Sequence, residues 1–137
     1  MKEQKKLIDE FCDDLNDYLK DRFKYKRNQA RHRIHTINVL TRKVGLYIRF
    51  NALTWKKTSK ITLVLALLRF KRTREGEGTN LLKFLLEKQS KYGYEEIGIE
   101  ECNDNAKAFA RKLNFKAIDE RNENFVISIK DLKQTLD

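Results

Sequence analysis

Ile61-Thr62-Leu63-Val64-Leu65-Ala66-Leu67-Leu68-Arg69-Phe70 runs straight into Lys71-Arg72-Thr73-Arg74-Glu75-Gly76-Glu77-Gly78-Thr79, and Leu81, Leu82, Leu85 and Leu86 follow at helical spacing. The first run is the longest apolar stretch of the chain and shows no alternation, which predicts a central strand covered on both faces. The leucines predict a helix to about Ser90, broken by Tyr92-Gly93-Tyr94. A strand that enters a helix through a short glycine-bearing loop leaves several backbone N–H groups pointing at the loop, and an anion is their natural partner. Gly76 and Gly78 let the main chain approach a phosphate without a Cβ in the way and accept positive φ. Lys71, Arg72 and Arg74 add charge, Thr79 offers a hydroxyl or a cap, and Glu75 and Glu77 are expected to point outward.

Outward from this loop, Glu95 to Glu100 reads as a short strand. Asn103 to Leu113 reads as a helix with Ala106, Phe109, Ala110 and Leu113 on one face. Asn114 suits the left-handed stop of that helix. Phe115 to Ile118 and Phe125 to Ile129 are predicted as closing strands joined by the polar turn Asp119 to Asn124. On the N-terminal side, Leu7, Ile8, Phe11, Leu15, Tyr18, Leu19 and Phe23 recur at three- and four-residue intervals, so residues 3–23 form an amphipathic helix. Lys24 to Arg33 reads as a second, basic helix, and residues 34–53 as strands with a turn at Thr41-Arg42-Lys43. The order is helix, strands, then βαβαββ, an α/β arrangement in one domain over residues 1–137.

Composition narrows the function classes. At 137 residues, with 40% apolar and 36% charged residues, the chain suits a globular domain with its own core. No apolar run approaches the roughly 20 residues of a membrane span. The opening Met1-Lys2-Glu3-Gln4-Lys5-Lys6 lacks the features of a secretory leader, so a cytoplasmic location and no membrane partner are expected. Cys12 and Cys102 stand far apart without metal-site spacing and read as reduced, buried thiols; His32 and His35 have no further histidine, so no metal is expected. The net charge of +10 is uneven: from Arg22 to Arg74 there are sixteen Lys and Arg and no Asp or Glu. A polyanion or acidic ligand is the matching partner, with Phe23, Tyr25 and Trp55 available to stack on unpaired bases; a solvated basic face is the alternative.

The loop and the helix after it carry a resemblance. Thr73-Arg74-Glu75-Gly76-Glu77-Gly78 resembles the Arg/Gln-x-x-Gly-x-Gly/Ala coenzyme A loop of the GCN5-related N-acetyltransferase (GNAT) family. Asn103-Asp104-Asn105-Ala106-Lys107-Ala108-Phe109-Ala110-Arg111-Lys112-Leu113-Asn114-Phe115 resembles the family's second block, Asn-x-x-Ala-x-x-Phe-Tyr-x-Lys-x-Gly-Phe. The resemblance covers residues 61–118, residues 34–60 only by strand character, and residues 1–33 by helicity alone. It implies a mixed, mostly antiparallel central sheet flanked by helices, with the N-terminal helical segment about 1–33 and a cofactor-binding core about 61–118. It also implies an acetyl-CoA (acyl-CoA) co-substrate and N-acyltransfer to an amine by direct attack; the acceptor is unidentified, and the basic stretch permits one that is anionic or nucleic-acid-linked. Main chain at Leu68 and Phe70, the loop residues Thr73, Arg74, Glu75, Gly76, Glu77, Gly78 and Thr79, and Asn103 and Phe109 would contact the coenzyme. Glu100 or Glu101 would take the amine's proton.

Thr73 departs from the family's Arg or Gln, with Arg72 and Arg74 beside it. Ala110 stands where the family has a tyrosine that protonates the departing thiolate, which leaves Tyr47, Tyr92 and Tyr94 as substitutes. Two rival readings remain. One is a dinucleotide site on Gly76-Glu77-Gly78, with Glu100 placed for a ribose. The other is a catalytically weak GNAT-like binding module that uses residues 22–74 to hold nucleic acid or another polyanion. The acceptor and the oligomeric state, a dimer included, stay open.

Overall fold

The computed structural model describes residues 2–50, 61–71, 76–100 and 103–137, with side chains from Lys6 onward. Helix α1 (Lys2–Phe23) is followed by strands β1 (Arg31–His32), β2 (Thr36–Leu40), β3 (Val44–Phe50) and β4 (Thr62–Phe70). Then come α2 (Glu77–Tyr92), β5 (Glu96–Ile99), α3 (Asp104–Lys112), β6 (Lys116–Ala117), β7 (Phe125–Ser128) and α4 (Ile129–Leu136). The seven strands form one sheet in the order β1-β2-β3-β4-β5-β7-β6. Among the described strands only β4 and β5 run parallel. This is the mixed, mostly antiparallel sheet that the two motifs imply, and it rules out the doubly wound parallel sheet of the dinucleotide reading.

Two sequence expectations fail. Lys24 to Ala30 forms no helix: α1 stops at Phe23, and Lys24 takes a left-handed backbone with φ 62. Asn16 then holds the following chain, its Oδ1 accepting from Gln29 N at 2.9 Å and Ala30 N at 2.7 Å and its Nδ2 donating to Ala30 O at 3.1 Å. The chain also ends in a helix rather than a strand. Ser128 caps α4 by accepting from Asp131 N, and Ile129 and Leu132 are buried. The signal was legible as Ser-x-x-Asp before apolar residues three and seven apart, a cap followed by one apolar helix face.

α1 lays Ile8, Phe11, Cys12, Leu15 and Leu19 onto the sheet, all at most 5% exposed. The ring of Phe11 meets Phe50, Phe84 and Tyr92 edge-on. Burial, with Asp13 and Asp9 nearby, pushes the Cys12 thiol up to about 11, so it rests as a packed thiol. α1 is tied along α2: Asp14 accepts from Lys91 Nζ at 3.0 Å and from the Tyr92 hydroxyl, Tyr18 donates to Asn80 Oδ1 at 2.6 Å, and Arg22 Nε donates to Glu77 Oε1 at 2.9 Å.

The centre of the fold is β4, where the sheet changes in two ways at one place. Its parallel pairing with β5 runs from Thr62↔Glu96 to Leu65↔Ile99, yet β4 continues to Phe70. On its other side, Ile48 faces Leu65 and Tyr47 faces Leu67, so Ala66 has no counterpart on β3. An extra residue on one strand bends it and shifts the side-chain alternation by one position. In consequence Leu63 and Leu65 before the bulge, and Leu68 and Phe70 after it, all turn toward the core that α1 and α2 cover. Strict alternation would have put Arg69 there instead.

Candidate active site

Where β4 and β5 part, the open edge of β4 from Leu68 to Phe70 faces the first turn of α2 and one face of α3 across a cavity of about 540 Å³. Of the residues expected to contact a coenzyme, Leu68, Phe70, Gly76, Glu77, Gly78, Thr79, Asn103 and Phe109 all line this cavity. Thr73, Arg74 and Glu75, with Glu101 and Cys102, lie outside the described residues. Arg69, Asn105, Ala106, Ala108 and Lys112 also line it and were not among the residues expected to contact a coenzyme. Asn105, Ala108 and Lys112 stand three and four residues from one another and share a helical face with Phe109, so extending the motif along that face would have found these three.

The two loop glycines have different reasons. Gly76 is left-handed at φ 77, and among the described residues beyond its chain neighbours no atom lies within 4 Å of where a Cβ would stand. It is needed for backbone conformation alone. Gly78 carries no such φ, but a Cβ there would come within 2.7 Å of Phe109 Cζ. Its bareness lets the start of α2 close onto α3.

α2 begins at Glu77, four residues ahead of its first leucine, so Thr79 sits within the first turn and is not the cap. The capping position is Gly76, which has no side chain to give, and the first bonded amide is Asn80 N, donating to Gly76 O at 2.9 Å. The N–H groups of Glu77, Gly78 and Thr79 are thus the uncapped donors of a helix N-terminus, beside the cavity. At α3, by contrast, Asn103 Oδ1 accepts from Ala106 N at 2.9 Å. Asn103 itself lines the cavity, and its Nδ2 makes no hydrogen bond among the described residues.

Glu77 does not point outward. Its carboxylate turns back to Arg22 at the end of α1, with Arg22 Nη2 at 2.5 Å, and the side chain is only 13% exposed. The pair raises the guanidinium's pKa through its hydrogen bond to Glu77 and neutralises an acid that would oppose an anion at this helix end. Arg69 is held elsewhere: it lies over Gly45, whose Cβ would come within 2.9 Å of its guanidinium, and donates from Nη2 to Thr41 O at 2.9 Å.

The candidate proton-transfer groups are spread more widely. Glu100, one residue past the last β4–β5 pair, donates its amide to Leu65 O at 3.0 Å. Its side chain is 7% exposed and ion-paired with Arg49 of β3. Glu100 does not line the cavity. Among the described residues Arg49 Nε is buried without a hydrogen-bond partner, and Glu100 is the acid that balances this guanidinium. Ala110 is fully buried and accepts from Phe115 N at 2.9 Å, so the position belongs to the core of α3. Tyr94 is fully buried with its hydroxyl donated to Leu85 O, and Tyr92 donates to Asp14. Burial raises the pKa of both phenols, with Asp14 adding to the rise at Tyr92. Tyr92 ties α1 to α2, and Tyr94 packs the chain after α2 back onto that helix. Tyr47, paired with Leu67 just beyond the bulge, is half-buried, and among the described residues its hydroxyl has no partner.

With a bulged central strand, a parallel neighbour that leaves it halfway, and a glycine-led helix start at the opening, the chain has a fold like that of the GCN5-related N-acetyltransferases. Three solved structures share it. AtaTR bound with acetyl-CoA matches at TM-score 0.54 and 14% identity, covering 74% of this chain and 70% of that one. The KacTA–DNA complex matches at 0.53 and 17%, covering 89% and 83%. AtaT complexed with acetyl-methionyl-tRNAfMet matches at 0.51 and 12%, covering 74% of each. No protein-family model matches the chain. No curated protein matches it at the sequence level. No helix among the described residues is long and apolar enough to cross a membrane.

Proposed function

We propose that the chain is an acyl-CoA-dependent N-acyltransferase, acetyl-CoA being the donor, and that its acceptor amine is carried on an anionic molecule of the transfer-RNA kind. The observation that carries the first half is the single cavity shared by the open edge of β4, the uncapped start of α2 and the face of α3. Backbone N–H groups of Glu77, Gly78 and Thr79 suit a pyrophosphate. Leu68 and Phe109 offer an apolar wall to the pantetheine arm, and Asn103 Nδ2 a donor to its amides. The thioester would lie along β4 beyond Ala66, where the strand has no parallel partner. Main-chain N–H there would polarise the carbonyl, and the amine attacks the acyl carbon while the sulfur leaves as thiolate. A thiol of ordinary pKa, about 8.5, leaves tolerably near neutral pH, so loss of the tyrosine at position 110 slows the step without removing it. Glu100 is the candidate base, acting through water.

Support for the second half is the net charge of +10, together with the neighbour solved with acetyl-methionyl-tRNAfMet. A non-catalytic nucleic-acid module accounts for the charge but leaves the uncapped α2 opening beside the β4 edge without a use. The test has two stages. Calorimetry should show acetyl-CoA bound at micromolar concentration and a nicotinamide dinucleotide not bound. Free thiol should then appear when acetyl-CoA is mixed with aminoacyl-tRNA, and more slowly with the free amino acid. Coenzyme binding without thiol release on any amine would leave the binding module as the correct reading; no coenzyme binding at high micromolar concentration would overturn both halves.

A further inference from the structure

The basic stretch converges on one place. The end of α1, the start of β3 and the end of β4 enclose a second cavity of about 360 Å³ beside the first, with Phe70 and Glu77 on the wall between them. Four cations line it: Arg22, Lys24, Lys43 and Lys71. Its apolar wall is formed by Phe23 and Phe70, stacked at 6.3 Å between ring centroids. Among the described residues Glu77 is the one acid there, and Arg22 already pairs with it.

The cations divide by how they are held. Arg22 is fixed on Glu77, and Lys43 donates from Nζ to Phe23 O at 3.1 Å while lying over the Tyr25 ring. Lys24 and Lys71 have no side-chain hydrogen bond or ion pair among the described residues, although both face the same space. Lys24 also holds a left-handed backbone with φ 62, which glycine adopts without strain and a residue with a Cβ does not. A strained helix stop thus carries an unneutralised ammonium at the mouth of a cavity. Among the described residues, the coenzyme cavity is lined by Lys112 and an Arg69 already committed to Thr41 O.

We propose that this second cavity is a phosphate-binding subsite, in which Lys24 and Lys71 close on a phosphoryl group against the fixed cations Arg22 and Lys43. Two sources can supply that group: the 3′-phosphate of coenzyme A, or a backbone phosphate of a nucleic-acid acceptor. The first source rests on the acyl-CoA reading; the second does not.

The experiment compares Lys24→Gly, Lys71→Ala and the double variant with the wild-type chain and with Lys130→Ala, an exposed change on α4. Coenzyme A, 3′-dephospho-coenzyme A and a short single-stranded RNA are the probes, the RNA measured over a range of salt. If the coenzyme is the source, the double variant binds coenzyme A about tenfold or more weakly while dephospho-coenzyme A is unchanged. If the acceptor is the source, both coenzyme forms bind as before, RNA weakens, and the slope of log K against log salt falls by about 0.7 per lysine. Lys24→Gly should bind more weakly while its melting temperature holds or rises, because the strain is relieved as the charge is lost; a structural role for Lys24 would lower both together. Should Lys24→Gly fold poorly, Lys71→Ala alone carries the binding test. Unchanged binding of all three probes, relative to Lys130→Ala, overturns the proposal. If the wild type binds neither coenzyme form but loses RNA with the two lysines, the acyl-CoA reading fails and the subsite stands.

Discussion

Gly78 lies so close to the ring of Phe109 that a Cβ on the glycine would stand 2.7 Å from Cζ and 2.8 Å from Cε1. The contact joins the first turn of α2 to the middle of α3 and so sets the width of the cavity between them. Gly78→Ala should therefore cost about 1–3 kcal/mol through overpacking. Phe109→Leu, which shortens the obstructing ring, should return most of that loss in the double variant. Denaturant midpoints of the two single variants and the double one check this, and strict additivity would refute the contact.

Gly76 answers to a different constraint, since its φ of 77 is left-handed but the space around it is open. Gly76→Ala should destabilise the chain by about 1 kcal/mol from backbone strain, and Gly76→Asn by less, because Asn tolerates this region better. Neither should be rescued by a change at Phe109. Urea unfolding of the pair measures the difference, and equal losses for Ala and Asn would count against a backbone origin.

Arg49 and Glu100 test whether the candidate base is a base. Glu100→Gln leaves a mostly buried guanidinium unbalanced and should cost about 2–3 kcal/mol, with Arg49→Met/Glu100→Gln recovering much of it. If Glu100 also accepts the proton of the amine, kcat stays low in the stable double variant. Recovery of kcat together with stability would assign Glu100 to the ion pair alone.

Asp14 gives the fold a pH dependence. Burial raises its pKa, but hydrogen bonds from Tyr92 and Lys91 outweigh this and hold the carboxyl below its ordinary 3.8. A depressed folded-state pKa contributes stability that is present above 3.8 and is lost as pH falls through the lower folded value. Asp14→Asn should thus cost about 1–2 kcal/mol at pH 7, with the gap to wild type closing below pH 4. Thermal melts of the two chains across that range read it directly.

Local pattern in the chain was enough for the elements that rest on local physics. The period of Phe11, Leu15 and Leu19 makes α1, the unbroken run before Phe70 makes the central strand, and Asn114 takes φ 65 at the stop of α3 as its short polar side chain allows. The motif spacing also named eight of the residues that meet around the cavity, because a strand, a tight loop and a helix start bring them together in almost any fold that contains them. What the chain alone could not say depends on partners distant in sequence. The bulge at Ala66 exists only against Tyr47 and Ile48, and it decides that Leu68 and Phe70, not Arg69, face the core. The inward turn of Glu77 needs Arg22 from α1, the need for a bare Gly78 comes from Phe109, and the placement of Glu100 away from the cavity follows from Arg49 on β3. Side-chain direction is set by the nearest opposite charge or hard surface, and only tertiary packing determines where those stand.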